Sequence, residues 1–298
     1  MGKIVECVPN FSEGRNAQVI EAILGEIRAV PGVALLDHAP DQSHNRVVVT
    51  FAGEPAGVEE AAFGAARKAS ELIDMEKHQG EHPRIGATDV VPFVPIRGVT
   101  MADCVEMARR VGARIAGELN IPVYLYAEAA TRPDRRRLPD IRRGEYEGLK
   151  TAIAEPTRRP DFGEARMHPS AGATVVGARQ PLIAFNVNLN TPDVRVASAI
   201  ARSVRESSGG LVSVQAKGVF IKERDLAQVT MNILDHERTP MHRALELVRV
   251  EARRYGVEVV GTEIIGLLPL QALLNCALWY MQVEQFSTGQ VLDLAIKA

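Results

Sequence analysis

The chain is poor in the features that would assign it to several large classes. It has three cysteines, Cys7, Cys104 and Cys276, odd in number and far apart, with no Cys-x-x-Cys pair. That pattern argues against a disulfide framework or a cysteine zinc site and points to a reducing compartment. Neither sign of charge is in excess: 35 Lys and Arg face 37 Asp and Glu, a net charge of −2. No global basic field speaks for nucleic acid. The N-terminal MGKIVECVPNFSEG lacks the apolar core of a signal peptide, so a cytoplasmic protein is expected. One long uncharged stretch exists, residues 264–283, IIGLLPLQALLNCALWYMQV. Pro269, Gln271, Asn275 and Gln282 interrupt it and Glu263 and Glu284 flank it, which predicts a buried strand end, turn and helix, not a membrane span. The glycine-rich segment 161–179, DFGEARMHPSAGATVVGAR, has no Lys-Ser/Thr after its glycines and is no phosphate loop.

What is present is an ordinary apolar content, 46% over 298 residues, arranged in two similar halves. KIVECVPNF reads as a strand and AQVIEAILGEI as a helix, broken by Pro31-Gly32. VALLD and RVVVTFAG are strands joined by the turn PDQSHN. A helix from Val58 to Met75 follows, then the strand VVPFVPI, and a helix opened by Thr100 with Asp103 in capping-box position. PVYLYA is a further strand. The second half repeats the order with LIAFNVNL, VASAIARSVRES, LVSVQAKGVFI, LAQVTMNIL, a helix after Pro240 and VEVVGTEI. Two β-α-β-β-α-β patterns predict an α/β (α+β) sandwich of two subdomains, 1–179 and 180–298. Each is expected to be a mixed sheet with helices packed on one face. The stretch 128–180, rich in Pro, Arg and Gly, reads as a long irregular connection.

Four segments could carry chemistry. In HQGEHPRIGATDVVPFVPI, residues 78–96, His78 and His82 are four apart around Glu81. A zinc site of the H-E-x-x-H kind needs that spacing on a helix, but Gly80 lies inside and Pro83 biases His82 towards an extended backbone. A single general acid/base, His82, beside Glu81, Arg84 and Asp89 is the functional reading, and a solvated loop histidine the alternative. In DQSHNR, Asp41, His44 and Asn45 could face a ligand or simply form a turn. Residues 132–143, RPDRRRLPDIRR, are a local basic patch suited to a small anion or to solvent. No aromatic interleaves within that patch, which makes single-stranded nucleic acid a poor fit. Gly163, Gly172 and Gly177 would let backbone approach a flat ligand, or serve as turns.

These same segments carry a resemblance. VECVPNFSEGR, LIDMEKHQGEHPRIGATDVVPFVPIRGVTM, IPVYLYAEAA, PDFG, HPSAGATVVGAR, LIAFNVNL and LAQVTMNILD are similar to the glutamate formimidoyltransferases (glutamate formiminotransferases). The similarity runs from about Ile4 to Leu274, and the GEHPR-x-GA…DV-x-PF-x-P run is its most specific part. The resemblance implies transfer of a formimino group between N-formimidoyl-L-glutamate and tetrahydrofolate, as in histidine breakdown. It implies tetrahydrofolate as co-substrate and no metal. It also implies a homodimer of two-subdomain chains with a folate-lined tunnel, with no role for nucleic acid or membrane. His82 corresponds to the family's catalytic histidine. The folate-binding segment corresponds to Gly163, Glu164, Ala165, Arg166, Met167, His168, Pro169, Ser170, Ala171 and Gly172. Glu81, Arg84, Asp41, His44 and Asn45 are the further candidates for holding substrate. Animal members carry an aromatic residue where this chain has Ala171, and a cyclodeaminase domain after the transferase. Cyclisation is therefore expected to need a separate protein here. Formyl transfer between 5-formyltetrahydrofolate and glutamate, a folate binder without turnover and a metal-dependent hydrolase are the competing functions.

Overall fold

Helix ends follow local chemistry. In a computed structural model describing residues 2–297, Asn16 caps α1 (Ala17–Arg28) by accepting from the backbone of Gln18 and Val19. Thr100 and Asp103 form the reciprocal capping box that opens α3 (Met101–Leu119). Pro55 starts α2 (Pro55–Leu72), where its missing N–H costs nothing. Each of these three helices buries an apolar face. That of α3 runs through Cys104, Met107, Ala108, Val111 and Ile115.

The chain divides into two units, Met1–Gln180 and Pro181–Ala298. In the first, β1 (Ile4–Cys7) and β2 (Asn10–Phe11) form one interrupted line. It lies between β4 (Arg46–Gly53) and β5 (Thr88–Arg97), antiparallel to both, with β3 (Val33–Asp41) outside β4. The sheet then continues through β7 (Thr174–Ala178) to β6 (Val123–Ala127), both pairings parallel. In the second unit β8 (Ile183–Leu189), α6 (Val194–Val204), β9 (Val214–Ile221), β10 (Leu226–Ile233), α7 (Met241–Arg254) and β11 (Val259–Ile265) follow in turn. They give a four-stranded antiparallel sheet ordered β11-β8-β10-β9. Counted within its own repeat, each unit has the strand order 4-1-3-2. The expected α/β architecture and the repeated pattern are therefore present, but only the first unit's sheet is mixed, the second being wholly antiparallel instead of mixed as expected.

Three expectations need correction. The stretch 128–180 is not an irregular connection. It carries short helices, α4 (Leu138–Ile141) and α5 (Glu145–Ala152), and ends in β7 within the sheet. Ile141, Tyr146, Leu149 and Ile153 belong to the core of the first unit. Thr88–Val94 and all of β7 are buried at consecutive positions, so both faces of these strands are covered. Second, 264–283 does form a strand end, a turn and a helix, α8 (Leu270–Met281), but it is not buried. Ala272 is the buried residue of α8, while Leu270, Trp279 and Met281 are exposed. Third, β3 runs on to Asp41, so the turn is confined to 42–45. Among the described residues no helix is long and apolar enough to cross a membrane.

Candidate active site

His82 sits on a bend-rich loop between α2 and β5, and backbone pairing to a distant segment holds that loop. Ala87 N–H donates to the Ala171 carbonyl at 2.8 Å, Ala173 N–H to the Ile85 carbonyl at 3.0 Å, and Met75 N–H to the Ser170 carbonyl at 2.7 Å. Gly86 and Gly172 lie opposite each other in this pairing. A Cβ on Gly86 would meet the Ala173 oxygen at 2.0 Å, and Gly172 has φ +73°, so the approach needs both glycines. Asp89, 1% exposed, accepts the Ile85 N–H at 2.9 Å and pairs with Arg142. It thereby closes the loop from below.

The turn after β3 forms the other wall. Asn45 adopts φ +46° and links three segments. Its side chain accepts from Gly14 N–H at 3.0 Å and donates to the Gln79 carbonyl at 2.9 Å, and its own carbonyl accepts from His78 Nε2 at 2.9 Å. Arg84 Nε donates to His78 Nδ1 at 3.3 Å, which fixes His78 as the neutral Nε2–H tautomer. Burial lowers the His78 pKa. Asp41 binds His44 Nδ1 at 2.8 Å and His44 N–H at 2.9 Å. Burial opposes ionisation of Asp41, but the bonds from His44 outweigh it and its pKa lies below the usual carboxylate value. The His44 ring stands edge-on to His82 with centroids 6.1 Å apart.

His82 itself is half-buried. Its pKa falls to about 2, through burial first and then the nearby positive charges of Arg46 and Arg142, with His44 contributing least. The imidazole is thus neutral at physiological pH. Its hydrogen-bonding neighbour is Arg46, the first residue of β4, whose Nη1 lies 2.9 Å from Nε2 and 3.2 Å from Nδ1. One donor cannot lie along both ring lone pairs, so the guanidinium straddles the ring and leaves the tautomer open.

The residues singled out from sequence divide into three groups. Asp41, His44, Asn45, Glu81 and His82 share one neighbourhood, with Glu81 N–H on the Ser43 carbonyl at 3.3 Å. Arg84 is buried, and its guanidinium is taken up by His78, Glu145 and Glu147, so it braces the loop and has no donor to spare for a substrate carboxylate. Among the described residues no hydrogen bond joins Glu81, Arg84 or Asp89 to the His82 ring. Of the glycine-rich segment, His168 to Gly172 forms a tight hairpin against the His82 loop, with His168 Nδ1 accepting from Ala171 N–H at 3.0 Å. Met167 and Ala171 are buried, whereas Glu164 and Arg166 are exposed and pair with each other at 3.1 Å. Gly163 packs instead beside Ala116 and Pro122.

The basic patch is also reassigned. Arg135 is buried, bound to Asp161 at 2.5 Å and to the Arg159 carbonyl, and Arg142 is bound to Asp89. Arg132 pairs with Asp134, and Arg143 with Asp140. An anion-binding role for 132–143 as a block therefore does not hold, because most of its cations already have internal partners. Arg46 was missed from the sequence. Its signal is a lone charge opening an otherwise apolar strand, RVVVTFAG, directly after a turn rich in polar side chains.

The family described as "Formiminotransferase domain, N-terminal subdomain" matches residues 4–179, and "Formiminotransferase domain" matches 184–297. The chain belongs to the formiminotransferase family. It is 50% identical to a glutamate formimidoyltransferase of Streptococcus pyogenes serotype M1, over 96% of each chain. It is 48% identical to one of Thermoplasma acidophilum, over 97% of this chain and 96% of the other. The formimidoyltransferase-cyclodeaminase of Rattus norvegicus is 50% identical over 96% of this chain, which spans 54% of that longer protein. Within this formiminotransferase, the GEHPR-x-GA run and the HPSAGA run are the two strands of backbone that clasp each other beside His82.

Proposed function

We propose that the protein transfers the formimino group between N-formimidoyl-L-glutamate and tetrahydrofolate, a step of histidine breakdown and one-carbon metabolism, with His82 as the proton shuttle. The attacking amine of tetrahydrofolate forms a bond to the amidine carbon and gives its proton to the neutral imidazole. The bond from that carbon to the glutamate nitrogen then breaks, and the imidazolium returns the proton to the departing amine. Proximity of the two substrates supplies much of the acceleration, and this chemistry asks for neither a metal nor a covalent nucleophile. The carrying observation is a neutral, half-buried imidazole that among the described residues has no backbone or carboxylate partner on either ring nitrogen, on the 78–89 loop that is held to the 41–46 and 168–173 segments. The His168–Gly172 hairpin beside it supports a role in seating the pterin. The exposed Leu270, Trp279 and Met281 of α8 support burial of that helix in a homodimer.

The test is an assay with N-formimidoyl-L-glutamate, with and without tetrahydrofolate and with EDTA. Turnover is expected only with the folate and is expected to survive the chelator. Release of free formamide without folate would replace the transferase by a hydrolase.

A further inference from the structure

The two buried arginines of the first unit, Arg84 and Arg135, are matched to acids, as is half-buried Arg142, whereas half-buried Arg46 is not. Arg84 has Glu145 and Glu147, Arg135 has Asp161, and Arg142 has Asp89. Arg46 forms no salt bridge among the described residues, and its Nε is buried without a hydrogen-bond partner. The Nε of Arg142 is buried and unpartnered as well. The acids nearby are committed elsewhere: Asp89 to Arg142 and Ile85 N–H, Asp41 to His44. A guanidinium stays charged at any relevant pH, and drawing part of it out of water without a counter-charge is costly. Arg46 therefore stands as half of an ion pair.

We propose that Arg46, backed by Arg142, receives the α-carboxylate of the glutamyl substrate beside His82. The inference rests on the transferase reading above. In formimidoyl-glutamate the α-carboxylate carbon is two bonds from the nitrogen that must leave. A group protonating that nitrogen and a cation holding that carboxylate must therefore be neighbours, and the Nη1 of Arg46 touches the His82 ring at 2.9 Å. A carboxylate can take both donors of the guanidinium edge, a geometry that a lysine would not match.

Occupation of the site would also change His82. The charged and titratable groups that act on its imidazole are Arg46 from β4, Arg142 after α4 and His44 from the turn, and Asp89 and Asp41 act in turn on Arg46. In the empty site the nearby arginines oppose a proton on the ring. A carboxylate on Arg46 cancels part of that field and draws the guanidinium off the ring, freeing a lone pair. The imidazole becomes a competent base when the substrate is in place.

The experiment compares N-formimidoyl-L-glutamate with its α-amide. The wild type is expected to favour the acid by about 10–100-fold in kcat/KM, the worth of hydrogen bonds to a charged group. Arg46→Gln is expected to bring that ratio close to one, with Arg46→Lys between. A second arm makes its reading on the wild type and uses a variant only to assign the signal. The His82 ring resonance of the wild type, assigned by its loss in His82→Asn, should titrate at higher pH with L-glutamate bound than without, and should not move with isoglutamine. An acid-to-amide ratio unchanged in Arg46→Gln, or an imidazole indifferent to glutamate, overturns the inference and leaves the transferase reading standing. A wild type that turns over neither compound overturns both.

Discussion

Gly86→Ala isolates the contact that holds the His82 loop. The new Cβ would lie 2.0 Å from the Ala173 oxygen and 2.6 Å from the Ala171 oxygen, where ordinary contact begins near 3.4 Å. Both obstacles are backbone, so no side chain can swing aside, and the two segments must part by more than 1 Å, the gap between those contacts. Parting them breaks Ala87 N–H to Ala171 and Ala173 N–H to Ile85, and strains the bond from Ser12 Oγ to the Gly86 carbonyl at 2.7 Å. Each buried donor left unpaired costs about 1–3 kcal/mol, so the two together cost roughly 2–6 kcal/mol. That is a large share of a total stability of about 5–15 kcal/mol. For a unit of this size it corresponds to a fall in Tm of roughly 5–20 °C. Gly25→Ala is the control. It lies inside α1 with nothing within 4 Å of the added methyl, and is expected to stabilise by up to about 1 kcal/mol. Melting followed by circular dichroism, with kcat measured well below Tm, decides the matter. A Gly86→Ala protein melting within about 2 °C of wild type with normal turnover would show that the 85–87 and 171–173 pairing does not hold the loop.

Three further outcomes follow from the same geometry. His82→Ala should lower kcat by about 10²–10⁴-fold with little change in Tm, since a half-exposed loop imidazole carries little packing; near-normal kcat would reject the shuttle. Arg135→Ala should cost about 3–5 kcal/mol in urea unfolding because it strands buried Asp161, whereas exposed Arg136→Ala should stay within about 0.5 kcal/mol; equal midpoints would refute the pairing. The last outcome concerns acid. His82 titrates near 6.5 in the unfolded chain and at about 2 when folded, so below pH 6.5 the unfolded state binds the extra proton. Its contribution to stability is complete above that pH and is lost progressively as pH falls towards 2. His82→Asn should therefore lose less stability than wild type between about pH 7 and pH 4.5, and equal losses would contradict the depressed pKa.

Features written in neighbouring residues were legible in the sequence. The Thr100–Asp103 capping box and the two β-α-β-β-α-β orders depend on spacings of a few residues, and they stand where periodicity put them. The features that escaped depend on partners far along the chain. TVVGA looks like part of a glycine-rich loop until β5 and β6 are placed on either side of it, and Gly177 has no side chain because the Tyr126 ring lies there, 2.3 Å from where a Cβ would be. RPDRRRLPDIRR shows six arginines but not that Asp161 and Asp89 neutralise two of them. The GEHPR run pointed to His82, yet its ring neighbour, Arg46, is 36 residues away across the turn after β3. Net charge and composition carry no record of such matches.

The place of β7 has a consequence for synthesis. Val90 pairs with Val175, 85 positions later, and Val123 with Thr174. As the chain leaves the ribosome, β5 and β6 emerge without the strand that belongs between them. The loop bearing His82 emerges long before its clasp at 171–173. Until that strand inserts, two apolar edges remain open to wrong pairing, and the loop bearing His82 is tethered at one end only. Completion of the His82 loop is thus timed by the arrival of the last strand of the first unit, and nascent chains halted before Thr174 are the forms that a chaperone or a protease would meet.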